Sequence, residues 1–426
     1  MTAVVVIAFL VFMMIGVPIA FAFGLAAFAG LGVSGLPLNM VAQKMLHSVD
    51  SFPFMAIPFF MLAGEFLVAG GLMEKMIQFA NAVVGRVRGG LGHVTVVSGV
   101  GLATVSGTAT ADSMALSSVL LRPMARVYGV PFSAAIIAAS ANLGPIIPPS
   151  TAMIIYATIA GGSISIAGLF ASGIVPGLLI AVFMMLAIEV IARRRRYPIS
   201  GEPFRLGFAL RKAREAILIL LMPVIVLGGI LSGAFTATES AAIAVVYAFL
   251  AGMFVTRKLK WSDIPNAMLN AVITTSVVST LIAFSATVTF LFTVDLVPQR
   301  LSETIMQVAS SPLAFLVIVM LFLILVGTVI EPVPAYIMLV PILAPIATGF
   351  GIDPLHFALV FVINIAIGVL TPPVGSVLFL MCSAARLSIW ELFREIWPFV
   401  AIQYLVMFIC VFAPGLVLWL PRTLGY

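Results

Sequence analysis

Apolar residues run through this chain in blocks of 18 or more from end to end. That is the length a helix needs to cross a bilayer. The period-2 alternation of a membrane barrel does not appear. The pattern predicts an all-α polytopic membrane protein. Span one covers about Val4–Val33, with a weak point at Gly16-Val17-Pro18. It lacks a basic start and a cleavage site, so Thr2–Gly32 reads as a retained span rather than a signal peptide. Span two is about Phe52–Gly70. Leu72–Val84 mixes Glu74, Lys75 and Asn81 with apolar residues, the pattern of an amphipathic helix lying at the interface. Further crossings fall at about Leu169–Ala192, Ala216–Leu231, Ala241–Val255, Ala267–Val297 and 397–420. Residues 298–310 form a second amphipathic stretch.

Two kinds of apolar block are broken at membrane depth. Residues 91–121 are interrupted by Ser106-Gly107-Thr108-Ala109-Thr110-Ala111-Asp112-Ser113. An Asp at a helix centre costs about 2.5–3.5 kcal/mol on insertion scales, so this segment faces protein or water, not lipid. Arg86 and Arg88 precede it and Arg122 and Arg126 follow it. Basic residues mark the cytoplasmic side, so both ends lie there and the block is a re-entrant hairpin with its tip at Ser106–Thr110. Residues 131–160 are broken by Asn142-Leu143-Gly144-Pro145-Ile146-Ile147-Pro148-Pro149-Ser150-Thr151. Prolines remove donors and clash with the preceding turn, which predicts two half-helices with extended backbone between them.

The second half restates the first. Residues 313–345 break at Gly327-Thr328-Val329-Ile330-Glu331-Pro332, and residues 354–385 break at Asn364 to Pro372-Pro373. Gly107-Thr108 aligns with Gly327-Thr328, Asn142 with Asn364 and Pro148-Pro149 with Pro372-Pro373, at offsets of 220 to 224. The expected organisation is repeat one over 1–192, a basic loop and linker span over 193–236, and repeat two over 237–426. Arg193–Arg196, Arg205, Arg211, Lys212 and Arg214 make that loop the most basic and place it in the cytoplasm. Five crossings separate the two hairpins, an odd number, so repeat two is inverted and the tips meet near the midplane. Nine spans and two hairpins result, with the N-terminus cytoplasmic and the C-terminus outside.

Inverted hairpins and broken helices suit ion and solute binding: free carbonyls and hydroxyls coordinate a cation, and half-helix N-termini face an anion. Two similar cation sites are expected. The first uses Ser106, Gly107, Thr108, Asn142 and Gly144; the second uses Gly327, Thr328, Asn364, Gly368 and Thr371. The solute lies between the tips, near Thr110, Pro149, Ser150, Ser285 and Pro373. Structural roles compete at each position. The tip glycines can serve close packing, and the two asparagines can hydrogen-bond between helices. Asp112 and Glu331 can cap helices or couple to an ion, and Ser285 can bond back to its own helix.

Composition narrows the function. The chain is 63% hydrophobic and 8% charged, with formal charge +6 carried between apolar blocks. That charge sets topology and does not point to nucleic acid. Cys382 and Cys410 lie in apolar segments, where a disulfide or metal site is not expected. His47, His93 and His356 lack metal-ligand spacing, and no phosphate-loop motif is present. No enzyme constellation and no cofactor are therefore expected.

At Ser106–Ser113 and Asn142–Thr151, with Ile57-Pro58-Phe59-Phe60 and Gly64-Glu65, the chain resembles the DctM-type large membrane subunit of tripartite ATP-independent periplasmic (TRAP) transporters. The likeness covers essentially the whole chain. It departs in Gly107-Thr108-Ala109, where many relatives read Gly-Ser-Ser or Gly-Ser-Ala. The resemblance implies a sodium-coupled importer of carboxylates such as C4-dicarboxylates or sialic acids in the bacterial inner membrane. It implies two partners, a four-span membrane subunit and a periplasmic substrate-binding protein, and an elevator motion of the hairpin domain. A self-sufficient anion/sodium symporter is the alternative, and a membrane scaffold without transport a remoter one.

Overall fold

A segment surrounded by lipid satisfies its own backbone groups only as a helix, and every apolar block folds as one. The computed structural model describes residues 1–161, 164–199, 206–309 and 311–426, with only the backbone of residues 302, 306 and 308. Arg205 lies outside the described residues. The chain opens with α1 (Thr2–Met14), α2 (Ile19–Ser34), the amphipathic α3 (Asn39–Val49) and α4 (Ala56–Ala69). The arm α5 (Leu72–Val84) leads to α6 (Gly90–Ser106) and α7 (Ala109–Tyr128), which are hairpin one. The halves α8 (Val130–Ala141) and α9 (Thr151–Ile159) flank the first proline break, and α10 (Ile166–Arg194) follows.

The first apolar block is two helices, not one span. Pro18 cannot donate to a preceding turn and Gly16 takes φ +85°, so the chain reverses there. α1 and α2 then pack antiparallel: Phe9 stacks on Phe23 at 4.6 Å between ring centroids, and Gly30 lies against Val5.

The second half runs α11 (Leu206–Leu231), α12 (Ala237–Leu250), α13 (Ile264–Val294) and the arm α14 (Val297–Val308). Hairpin two is α15 (Pro312–Val329) with α16 (Pro332–Gly349). The second broken span is α17 (Pro354–Gly368) with α18 (Ser376–Ala385), and α19 (Ile389–Phe412) and α20 (Pro414–Thr423) complete the chain. A π-helical turn, Ala251–Val255, extends α12. Each hairpin closes on itself: the Leu91 N–H donates to the Tyr128 hydroxyl at 3.2 Å, and Phe315 stacks on Phe350 at 4.8 Å.

The two repeats embrace. α4 packs on α12 and, correspondingly, α2 packs on α13. Small residues permit both approaches. A Cβ on Gly24 would sit 2.6 Å from the Phe284 ring, and one on Gly70 would sit 3.0 Å from the Gly252 Cα. These helices form a scaffold, while the hairpins and broken spans pack into a second body with α10, α19 and α20. Gln403 of α19 locks the halves of that body together. It accepts from the Asn142 Nδ2 at 2.7 Å and donates to the Ala139 carbonyl at 3.2 Å.

Several basic residues gather on one face, whereas Arg300 stands near Asp295. On the basic face Lys258 pairs with Glu74 at 2.6 Å, Lys212 reaches Gln78 at 3.1 Å, and Arg195 pairs with Glu395 at 2.8 Å. On the opposite face the Thr2 N–H and hydroxyl both donate to the Asp295 carboxylate, at 2.8 and 2.5 Å. The start of the chain therefore shares the face of Asp295 and α14. The one-span reading put it on the face of the basic loops; the turn at Gly16–Pro18 corrects that. Cysteines introduced at Arg88 and Ser311 are expected to label with an impermeant maleimide from opposite sides of the membrane, and one at Gly35 from the Ser311 side. Labelling of all three from one side would rule out the inversion.

Candidate ion and solute site

Hairpin one turns on a single glycine. Gly107 takes φ +61°, ending α6, and Thr108 is extended at the start of α7. The turn is held against the first proline break. The Thr151 hydroxyl donates to the Gly107 carbonyl at 2.9 Å, and a Cβ on Gly107 would lie 2.9 Å from the Pro149 carbonyl oxygen. Ser106, Thr108, Asp112 and Gly144 thus converge. The Ser106 hydroxyl donates to Asp112 Oδ1 at 2.5 Å. Asp112 is 1% exposed, and its Oδ2 has no hydrogen-bond partner. A Cβ on Gly144 would meet that oxygen at 2.6 Å, so only glycine leaves the carboxylate its space. Asp112 caps no helix; its carboxylate turns back to Ser106.

The two asparagines behave alike. Asn142 and Asn364 are fully buried. Asn142 spends its N–H on Gln403 and Asn364 on the Met320 carbonyl at 2.8 Å. Both leave Oδ1 without a partner. A buried acceptor left unsatisfied costs about 1–3 kcal/mol, so each oxygen is available to a ligand as well as each donor being hydrogen-bonded between helices.

In repeat two the register differs from the sequence expectation. Gly327 and Thr328 are still helical; the tip is Ile330-Glu331, with Ile330 extended and Glu331 preceding α16. The structural counterpart of Gly107-Thr108 is therefore Ile330-Glu331, and Glu331 is not the counterpart of Asp112. That place belongs to Ala335, which is buried. Gly327 instead lets α15 touch α17: a Cβ there would lie 3.2 Å from the Gly368 Cα. The Thr328 hydroxyl bonds back to Leu325 O at 2.8 Å and Thr371 to Ile367 O at 3.1 Å, while the Val374 N–H reaches Thr328 O at 3.0 Å. A space of about 10 Å³ lies beside Gly327, Glu331, Val369 and Gly375, close to the room one water takes. Val369 and Gly375 carry no polar side chain, so nothing in their residue type marked them.

Both tips open onto one cavity of about 550 Å³ between the scaffold and the hairpin body. Thr108 and Thr110 line it from hairpin one, Glu331 and Tyr336 from hairpin two, and Thr274 from α13. Of the expected solute residues only Thr110 is there. Ser150 is buried in the break, donating to Pro145 O at 2.6 Å and capping α9. Pro149 lies against Gly107, and Pro373 is not among the described lining residues. Ser285 bonds back to Ile282 O at 2.9 Å and faces a separate space of about 840 Å³ on the Asp295 side, because α13 carries it beyond Leu281. Sequence reasoning missed Tyr336 and Gln403, whose roles depend on partners far along the chain.

Opposed hairpin tips over a shared cavity, each backed by a proline-broken span, define the membrane subunit of a secondary transporter. Residues 6–416 match the family model described as the DctM component of tripartite ATP-independent periplasmic transporters. The C4-dicarboxylate TRAP transporter large permease DctM of Rhodobacter capsulatus is 35% identical, with 100% of both chains covered. The sialic acid large permease SiaM of Vibrio cholerae is 33% identical over 96% of each chain. The isethionate permease DctMQ of Oleidesulfovibrio alaskensis is 36% identical over 96% of this chain and 64% of that longer one. A crystal structure of the Alcanivorax borkumensis YdaH transporter shares the fold, with TM-score 0.63, 14% identity and 90% of each chain covered. The chain belongs to the DctM family of TRAP transporter large permeases; it is a transporter component, not an enzyme.

Proposed function

We propose that this chain couples sodium entry to import of an organic acid anion across the bacterial inner membrane. A periplasmic binding protein delivers the solute, and a small four-span subunit completes the membrane complex. The observation that carries the sodium reading is Asp112, a buried carboxylate with one oxygen unpartnered beside a glycine cradle. A buried charge of this kind is stable only when paired, and sodium with Ser106, Thr108 and the Asn142–Gly144 backbone supplies the pair. The small space by Gly327, Val369 and Gly375 takes the second ion on backbone carbonyls, which leaves the Glu331 carboxylate to the solute cavity. The solute occupies the cavity between the tips, and the C4-dicarboxylate, sialic acid and isethionate named for the relatives support an organic acid. The hairpin body, hinged on the arms α5 and α14, carries solute and ions past the scaffold in an elevator motion. The N-terminus and the C-terminus are then both periplasmic.

Uptake by proteoliposomes holding both membrane subunits, with binding protein added outside, is expected to need sodium; uptake undiminished when choline replaces sodium would overturn the coupling. Thr108→Val is expected to raise the sodium half-saturation several-fold, because Thr108 lies beside Gly144 and Asp112 at the first site and its hydroxyl is the oxygen the change removes. Thr328→Val is expected to leave it within twofold, because Thr328 is not among the described residues that line the second small space. Equal responses of the two variants would sink this assignment of ligands.

A further inference from the structure

The two tips offer an anion very different receptions. At hairpin one, α7 begins without a side-chain cap, and the N–H groups of Ala109 and Thr110, two residues that line the cavity, make no hydrogen bond among the described residues. The Asp112 N–H is the first one used, on Thr108 O at 3.2 Å. Such a 20-residue helix end attracts negative charge. At hairpin two, Pro332 and Pro334 have no N–H, and the Ala335 N–H is spent on Glu331 O at 3.1 Å. Only Val333 retains a free donor there, and the Glu331 carboxylate stands at the same helix end without a hydrogen bond. Glu331 is also the one charged side chain among the described residues lining the cavity, with no Arg or Lys opposite. A second observation points to the other end of the solute. Tyr336, 1% exposed, lines this cavity with its hydroxyl unpartnered.

We propose that the cavity takes a monovalent organic acid. Its single carboxylate or sulfonate sits on the hairpin-one amides, and an uncharged oxygen at its far end accepts the Tyr336 hydroxyl proton. Glu331 repels a second negative group, so dianions are excluded. This rests on the transport reading above and narrows its substrate class. Tyr336 is a specificity-determining residue, since Phe there keeps the packing against Tyr156 and Phe361 and removes only the donor.

The test is protection of a cysteine. Val277, 55% exposed on α13, lines the cavity, and the two native cysteines are buried. Val277→Cys chain in nanodiscs is labelled with a maleimide in sodium chloride or choline chloride. The probes are isethionate and N-acetylneuraminate, each monovalent, and succinate and malate, each divalent. In sodium, the monovalent probes are expected to slow labelling at concentrations at least tenfold below those the divalent probes need. Adding Tyr336→Phe should raise the monovalent half-protection concentration about tenfold and leave its sodium dependence in place. Adding Glu331→Gln should admit the divalent probes. Divalent probes protecting as well as monovalent ones, or no effect of Tyr336→Phe, would overturn the proposal. Protection of equal strength in choline chloride would instead overturn the sodium-coupled reading, so the two failures are distinguishable.

Discussion

Asp112→Asn is expected to raise the sodium concentration for half-maximal uptake at least tenfold, about 1.4 kcal/mol of ion binding, while folded protein stays near the unaltered amount. Asn has nearly the same shape and keeps an acceptor for the Ser106 hydroxyl, now 2.5 Å from Oδ1. What it lacks is the charge. In a site shielded from water that charge is worth far more than at the surface, and no protein cation stands near enough to be its structural partner: Asp112 forms no ion pair among the described residues. Gly144→Ala should mimic the loss by another route, since its Cβ would press on Oδ2 from 2.6 Å. The measurement is sodium titration of uptake in proteoliposomes, with size-exclusion profiles to confirm folding. An unchanged half-saturation in Asp112→Asn would remove Asp112 from the ion site and return it to the role of a hydrogen-bond partner for the tip.

Gly368→Ala is expected to destabilise the protein by about 3 kcal/mol, the upper part of the range for overpacking. Its added Cβ would collide with the Gly327 backbone at the carbonyl oxygen, carbon and Cα. A flexible side chain could move aside; a helical backbone held in hairpin two cannot. The clash also pushes the two members of the second break apart, where Val374 donates to Thr328 O at 3.0 Å. Gly349→Ala is the control, because a Cβ there meets nothing within 4 Å. Thermal melts followed by fluorescence-detected chromatography should show a large fall for Gly368→Ala and none for Gly349→Ala. Equal melting points would mean that α15 and α17 do not depend on this contact.

The hairpins and proline breaks were legible because glycine, proline and polar residues at membrane depth have few other uses. Gly107 shows why the first tip could be read and Gly327 why the second could not. Both precede a threonine, yet Gly107 is needed for a positive φ and Gly327 for closeness to Gly368 inside a helix. The true second tip is set by Pro332, which starts α16 and leaves Ile330-Glu331 outside it. The reversal at Gly16–Pro18 was visible only as a weak point, since an apolar run gives no sign of whether its two halves continue or fold back. Tyr336 and Gln403 carry no local pattern at all; one matters through a cavity wall and the other through Ala139 and Asn142, more than 250 residues away.

The crossed packing of α2 on α13 and α4 on α12 has a consequence for how the chain is made. The small-residue face of α2 meets Phe284 and Leu291, and Gly70 at the end of α4 meets Gly252. When α2 leaves the ribosome, its partner is some 260 residues from being synthesised. At about 5–20 residues per second that is a delay of roughly 13–50 s. Throughout it, α2 can lie against α1, with Gly30 at Val5, while Gly24 waits without Phe284 and faces lipid or the insertion machinery. The nascent first half is thus an open half-shell, and a ribosome stalled near residue 250 would leave a membrane-inserted product that quality-control proteases can recognise by its uncovered glycine face.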